Sequence, residues 1–467
     1  RFADRIYESH MTNVATFNHA DLLAIFGDQA SHLPAALQLT GISTDTRTLE
    51  VGNAFVALRG ERFDGHDNVQ EALEKGAALV VVEESSGLTS NETTLVVTST
   101  LNALGSFGWY HRRRFQIPVI AIAGAAGKTS TKDLTAHVLS QDMRVLKTQA
   151  NYNNQVGTPL TLLQLTDEVD AAVIEIGTNE PGEIEVLSAM VQPTHGLITN
   201  IGKEHLEKLI DLDGVEREET ALFDYLRDHG GLAFVNNDDP RLSKYATSFT
   251  RAITFGVENV ADIHPSVTFD ADVRPSLHIV HGAFTFRAQM KTHGLASAYN
   301  AACAMAIAWS MQMHPQFVQR GLATYQPPTA HGYGRMTVER VRDMVVLNDC
   351  YNANPESMMM ALRTLQRYPA SKRIAVLGDM RELGGASEDE HMHIISASQE
   401  NADVVIVMGD EFRRAAERMD APHLIVTSTH RACVEHLIDV ARENCVVLIK
   451  GSRGMTMERV IDLLLEQ

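Results

Sequence analysis

Residues Gly124-Ala125-Ala126-Gly127-Lys128-Thr129-Ser130 gather two glycines, a lysine and two hydroxyls in one short stretch. An apolar run, Val119-Ile120-Ala121-Ile122-Ala123, precedes it, and helical spacing that puts Leu134 and Val138 on one face follows it. Strand, glycine-rich turn and helix form the layout of a phosphate-binding loop. Backbone N–H groups and the helix N-terminus face the anion, Lys128 adds a point charge, and the Thr129 or Ser130 hydroxyl can hold Mg²⁺. The full pattern asks for a glycine five positions before Gly127, where Ile122 stands. An ordinary strand-to-helix turn is the competing reading.

Other residues share this chemistry. Glu175 ends an apolar run and precedes Gly177, the place where a parallel sheet presents ligand-facing groups, and a carboxylate there suits Mg²⁺. It can equally be a surface carboxylate at a strand end. His205 follows another such run and the turn Asn200-Ile201-Gly202, as a metal ligand or as a structural histidine. Residues 151–159 bring Asn151, Asn153 and Asn154 beside Gly157 and Pro159. Asparagine amides both donate and accept, so this loop can read a polar ligand or be a plain turn. Farther on, Asp349-Cys350-Tyr351-Asn352-Ala353-Asn354-Pro355, Gly378-Asp379-Met380 and Lys450-Gly451-Ser452-Arg453-Gly454 each follow an expected strand.

The elements that must position these groups are readable from apolar periodicity. Short strands at 54–58 and 79–83 belong to a first part, which ends near the basic cluster Arg112-Arg113-Arg114, read as a solvated linker. Strands at 119–123, 171–176, 196–199 and 232–235 alternate with helical patterns and argue for a mostly parallel α/β sheet. Residues 250–290, with Ile263, Val267, Leu277, Ile279, Val280, Phe284 and Phe286, read as a small antiparallel insertion. The turn-rich stretch from Tyr325 through Pro327-Pro328 to Gly332 opens a third part. There, runs at 344–347, 374–377, 404–408, 424–427 and 446–449 repeat the doubly wound pattern. The expected domains are 12–115, 116–326 and 327–467, and Ser9-His10-Met11 marks residues 1–11 as a tag or leader.

A chain of 467 residues is long for one core. Its 44% hydrophobic and 21% charged content is that of a soluble globular protein. A formal net charge of −19 argues against a nucleic-acid groove. No run approaches a membrane span of ~20 residues. Cys303, Cys350, Cys433 and Cys445 are widely spaced, as in a reduced cytoplasmic protein.

Together these motifs resemble the Mur ligases of peptidoglycan synthesis. The resemblance runs from about residue 18 to the end. It rests on the phosphate loop and on Ser43-Thr44-Asp45-Thr46-Arg47. It also rests on residues 55–67, 151–159, 175–179, 199–207, Gly334-Arg335, 349–355, 377–384 and 450–454. It implies an α/β protein of three domains: an N-terminal UDP-binding domain, a central P-loop-type ATPase with a mostly parallel sheet, and a C-terminal Rossmann-like domain that binds the incoming amine. It implies ATP and Mg²⁺ as cofactors and an acyl-phosphate route to an amide bond. Residues 60–67 and 377–384 are similar to the branch of the family that adds D-Ala-D-Ala to UDP-N-acetylmuramoyl-tripeptide. By resemblance, Lys128, Glu175, His205 and Arg335 are catalytic. Gly124, Gly127, Lys128, Thr129, Ser130, Asn300 (adenine), Arg335 (γ-phosphate) and Asp349 (ribose) bind nucleotide. Thr46, Arg47, Asn151, Asn154, Tyr351, Asn352 and Asn354 bind the other substrates, and Thr129, Glu175, His205 and Glu219 hold metal. A cytoplasmic monomer with no nucleic-acid partner and no membrane span is expected.

Three positions depart from the family. Glu219 stands where the family carries a carbamylated lysine, and no lysine occurs between Lys208 and Lys244. Its oxygens reach roughly 4 Å less far, a gap that a bridging water or a shifted Mg²⁺ closes. Gly294-Leu295-Ala296-Ser297 replaces the family's Gly-x-His-Asn, and Glu180 replaces a histidine. These departures leave open an impaired relative that binds nucleotide-sugar without ligating, and a related ATP-dependent amino-acid ligase such as the folylpolyglutamate type. The motifs of the first domain argue against the latter.

Overall fold

The computed structural model describes residues 14–60, 63–327, 334–419, 421, 424–441 and 444–466. The proposed leader, Glu61, Arg62 and residues 328–332 of the expected linker lie outside the described residues. Two compact units are present. One comprises the described parts of 1–121, 143–178 and 182–196; the other comprises 122–142, 179–181 and the described parts of 197–467.

The first unit holds a four-stranded sheet in the order Ile42–Ser43, Ala54–Val56, Leu79–Glu83, Thr94–Val97, with every neighbouring pair parallel. Both faces are covered. Leu79 and Val81 join Phe17, Leu22, Leu95 and Phe107 on one side, and Val80 and Val82 join Phe55, Val69 and Ala72 on the other. Alternate side chains thus enter opposite cores, which is why these strands read as continuous apolar runs. The helix Thr100–Arg112 begins at Ser99, whose hydroxyl accepts the Asn102 N–H.

The basic cluster after that helix is not a solvated linker. Arg112 is buried and donates to the carbonyls of Phe115, Val191 and Gln192. Arg114 pairs with Asp21 at 3.0 Å. Orphan carbonyls at segment ends need donors, and guanidinium groups supply several at once.

In the first unit Val145–Lys147 pairs parallel with Ala171–Glu175, and in the larger sheet of the second Leu232–Asn236 pairs parallel with Ala252–Phe255. The insertion is an antiparallel sheet of Ser266–Phe269, Pro275–His281 and Phe284–Gln289. It is shorter than expected from sequence: Ala252–Phe255 extends the larger sheet, and Ile263 only bridges to Phe255.

The second unit continues into a six-stranded sheet, ordered Thr337–Val341, Met344–Asp349, Cys445–Lys450, Lys372–Gly378, Val404–Met408, Leu424–Thr427. Its first pair is antiparallel and the others are parallel. Asp349 registers with Lys450, and Lys450 with Leu377, so the three polar clusters of this region meet at the carboxyl ends of adjacent strands. Among the described residues, no helix is long and apolar enough to cross a membrane.

Candidate active site

The phosphate loop is built on the strand Val119–Ala123, which is wholly buried. Gly124 has φ +113°, and a Cβ there would lie 2.3 Å from Thr199 Oγ1 and 2.7 Å from Thr199 N, so only glycine fits. Asn200 braces the turn: its carbonyl accepts the Ala125 N–H at 3.0 Å and its Oδ1 accepts the Ala126 N–H at 2.8 Å. Gly127, with φ +85°, opens the helix Lys128–Leu139 and provides no side-chain cap. The first N–H groups of that helix are therefore not engaged by a capping side chain, which suits an incoming anion. Asn300, on the helix Leu295–Ser310, accepts from Thr131 Oγ1 at 3.1 Å and lies beside Gly127.

Lys128 Nζ donates to the Gly124 carbonyl and lies 3.3 Å from Glu204 Oε2. Glu219 is fully buried on the helix Leu212–His229, whose start is fixed by the Asp211 side chain. Its Oε2 accepts the Gly124 N–H at 2.7 Å. Its other oxygen and Glu204 Oε1 are buried and meet no donor from a third residue, while the two carboxyl groups are hydrogen-bonded to each other, which needs a proton between them. Burial pushes the Glu219 carboxyl well above the usual carboxylate range. Lys128 opposes that shift and the facing Glu204 adds to it. These two oxygens fit a hard divalent cation, with the Thr129 hydroxyl on the adjoining helical turn. Among the described residues, no group of three or more His, Cys, Asp or Glu forms a self-sufficient metal site.

His205 is oriented by a carboxylate. Its backbone is left-handed, φ +48°, and its Nδ1 meets Glu382 Oε2 at 2.7 Å. Burial favours the neutral ring, but the Glu382 hydrogen bond and the charge of Glu204 outweigh it and raise the pKa. With Nδ1 held by the Glu382 carboxylate, Nε2 is the ring nitrogen left to face a ligand, the orientation that a carboxylate partner gives a metal-ligating histidine. The loop around it is held from the C-terminal sheet. Lys203 meets Glu390 at 2.5 Å, and a Cβ at Gly202 would lie 2.7 Å from the Glu356 carboxyl carbon.

At the second strand-end cluster, Asp349 accepts from Lys450 Nζ at 2.6 Å and from the Met336 N–H at 3.0 Å. Lys450 Nζ also donates to the Asn352 carbonyl. The Arg335 guanidinium lies 3.7 Å above the Tyr351 ring. Asn354 is the N-cap of the helix Pro355–Arg367, in a reciprocal box with Ser357, and its amide reaches the Ala125 carbonyl at 3.3 Å. Asp379 accepts the N–H groups of Glu411 and Phe412 at a helix start.

In the first unit, Glu175 is buried and its Oε1 accepts the Asn153 amide at 2.9 Å. Asn154 Oδ1 accepts the N–H groups of Val156 and Gly157, which makes it a turn-former, while Asn151 is exposed. Arg47 is exposed and forked onto Asp45, and Thr46 is buried with its carbonyl on Lys75 Nζ. Sequence reasoning marked Asn153 within the asparagine loop but gave no role to Asn200, Glu204 or Glu382. Of these only Glu204, adjacent to His205 in the chain, carried any signal.

Three family models match in succession: Mur ligase family, catalytic domain (residues 38–128); Mur ligase middle domain (122–308); and Mur ligase, glutamate ligase domain (334–453). The chain therefore belongs to the Mur ligase family. Within it, the chain is 34% identical, over 82% of its length and 80% of the relative's, to UDP-N-acetylmuramoyl-tripeptide–D-alanyl-D-alanine ligase of Synechocystis sp.. It is 31% identical to the enzyme of that name from Escherichia coli, over 92% of this chain and 95% of the relative. The crystal structure of MurF from Acinetobacter baumannii superposes with a TM-score of 0.88 at 28% identity, covering 98% of this chain and all of that one. The MurF ligase of Thermotoga maritima in complex with ADP, at 24% identity, shares the fold with a TM-score of 0.82.

Proposed function

We infer that the chain is an ATP-dependent amide ligase that joins D-Ala-D-Ala to UDP-N-acetylmuramoyl-tripeptide, with Mg²⁺, as a cytoplasmic monomer. Similarity to ligases of that name along more than four-fifths of the chain carries the reading, and the built phosphate loop supports it.

A carboxylate is a poor acyl donor until one of its oxygens can leave, and phosphorylation by ATP makes it one. The amine of the dipeptide then attacks the acyl carbon, and phosphate departs with the electron pair. Phosphoryl transfer asks for positioning and charge neutralisation. Lys128 and the helix N-terminus at Gly127 receive the phosphates, and Asn200 keeps the loop in shape. Mg²⁺, when bound, offsets the charge gathering on the transferred group; Thr129, Glu204 and Glu219 are placed to hold it. Asn151 and Asn154 in the first unit, with Thr46 and Arg47, serve the UDP-linked substrate, and Glu175 serves the metal. Arg335, Asp349, Tyr351 and Asn352 serve nucleotide and dipeptide at the other strand ends.

ADP release with UDP-N-acetylmuramoyl-tripeptide, with and without D-Ala-D-Ala, tests the reading. Sustained release only with the dipeptide, matched by amide product, is expected. Release that ignores the dipeptide, or none with both substrates present, overturns it.

A further inference from the structure

We propose that Asp238 and Asp239, adjacent residues just beyond the strand Leu232–Asn236, position opposite ends of the nucleotide site: Asp239 the phosphate end, Asp238 the base end. The proposal rests on the nucleotide-binding part of the reading above and makes Asp238 a determinant of base selection.

The consecutive side chains of Asn236, Asn237, Asp238 and Asp239 reach in two directions. Asn236 Nδ2 donates to the Thr199 carbonyl at 2.7 Å, and Asp239 Oδ2 accepts the Ile201 N–H at 2.7 Å. Between those two anchors lies Asn200, which braces the phosphate loop. Asp239 Oδ1 accepts the N–H groups of Arg241 and Leu242, which fixes the carboxylate in its own turn. In the other direction, Asp238 accepts the N–H groups of Val257, Glu258 and Asn259, and Asn237 Nδ2 donates to the Val260 carbonyl. A Cβ at Gly256 would lie 3.0 Å from Asp238 Oδ1, so this turn closes directly on the carboxylate. Hydrogen bonds to an ionised group are the strong ones, and they hold such a turn more firmly than neutral bonds do.

The turn at 257–260 stands against the helix Leu295–Ser310. Glu258 is hydrogen-bonded to Tyr299, the chain neighbour of Asn300, and Asn300 Oδ1 would lie 3.3 Å from a Cβ at Gly127. A nucleotide with its phosphates on the helix N-terminus at Gly127 directs its sugar and base away from the loop, along the start of that second helix. The turn then borders the base, and Val260, 83% exposed, offers an apolar side chain that a purine face can cover. Thr199 and Ile201 border the phosphates instead. One short segment therefore sets the two halves of the site relative to each other, with a separate carboxylate for each half.

The test uses the full chain, with ADP, GDP and inorganic tripolyphosphate as probes in calorimetry with Mg²⁺. Tripolyphosphate occupies the phosphate end and carries no base. Asparagine at either position keeps the shape but turns an amide toward backbone N–H donors. Asp238→Asn should weaken ADP binding about tenfold, shrink the preference for ADP over GDP, and leave tripolyphosphate within about twofold of the parent. Asp239→Asn should weaken ADP and tripolyphosphate alike, by about tenfold. Melting curves show that each variant folds. If Asp238→Asn does not, Glu258→Ala on the exposed side of the same turn takes its place, with the same split expected. Equal weakening of ADP and tripolyphosphate by the folded turn variant, or no weakening of either, overturns the assignment of Asp238 to the base. A parent that binds neither probe refutes the nucleotide reading and the proposal with it. A parent that binds both, with the two aspartate variants losing them in parallel, refutes the proposal alone.

Discussion

Around the phosphate loop, Glu204 and Glu219 bring two buried carboxyl groups together, and burial with the facing acid raises the Glu219 pKa. At the other strand-end cluster, Asp349 is met by Lys450 and the Met336 N–H, and Asn354 by Ser357. Both regions occupy the carboxyl ends of parallel strands, and both are rich in polar residues. In the first, two carboxyl groups face each other; in the second, Asp349 faces a lysine. A strand-end position therefore nominates a ligand site, while the pairing of the buried groups there separates one such site from another.

The largest effect is expected at the phosphate loop. Lys128→Ala should leave the far-ultraviolet spectrum and the melting curve near those of the parent while turnover falls at least about a hundredfold. Near-normal ligation by this folded variant would remove the loop from the mechanism.

Lys450→Met probes the second region. It strands Asp349 beside an apolar side chain and should cost about 2.5 kcal/mol in urea unfolding, less than for a fully enclosed pair because Asp349 reaches solvent. Unchanged stability with lost activity would show that this pair faces substrate, and the contrast between the two regions would collapse.

His111 supplies a reference outside both regions. Burial holds its pKa down to about 4, its Nε2–H donates to the Leu165 carbonyl, and Arg114 faces its other nitrogen. The unfolded chain takes up this proton near pH 6.5 and the folded chain only near 4. Between those values the unfolded state holds more protons, so stability falls as the pH is lowered. The loss should approach about 2 kcal/mol, discounted for the ring's partial exposure. His111→Gln should flatten that part of the stability profile; an unchanged slope would assign it to other groups.

The smallest effect belongs to the cap. Asn354→Ala should cost about 1 kcal/mol, and Asn354→Asp should recover most of it. If the aspartate variant is as stable as the parent yet binds dipeptide poorly, the amide contacts ligand as well as the helix.

The inner parallel strands were legible because both faces of each are covered, so Leu79–Glu83 and Val404–Met408 appear where apolar runs stand. Thr337–Val341 was missed: it is an antiparallel edge strand, half-exposed and charged at Glu339 and Arg340, and carries no such run. The cluster at 112–114 misled because charge suggests solvent, whereas the carbonyls that Arg112 satisfies come from residues about 80 positions away in the chain. The phosphate loop announced itself through local chemistry. The pairing of Glu204 with Glu219 did not, because it depends on how a loop and a distant helix meet, and nothing in a run of residues states which carboxylate will be enclosed.

The loop carrying Glu204 and His205 is also gripped from the C-terminal sheet, through Lys203 and Glu390, Gly202 and Glu356, and His205 and Glu382. Any ligand that shifts this loop works against those contacts, and any ligand that reshapes the C-terminal contacts works against the loop. Reciprocity follows from thermodynamics alone: whatever factor nucleotide imposes on the affinity for a ligand of the C-terminal sheet, that ligand imposes on nucleotide. If the C-terminal sheet takes the incoming amine, its binding and that of nucleotide share one equilibrium.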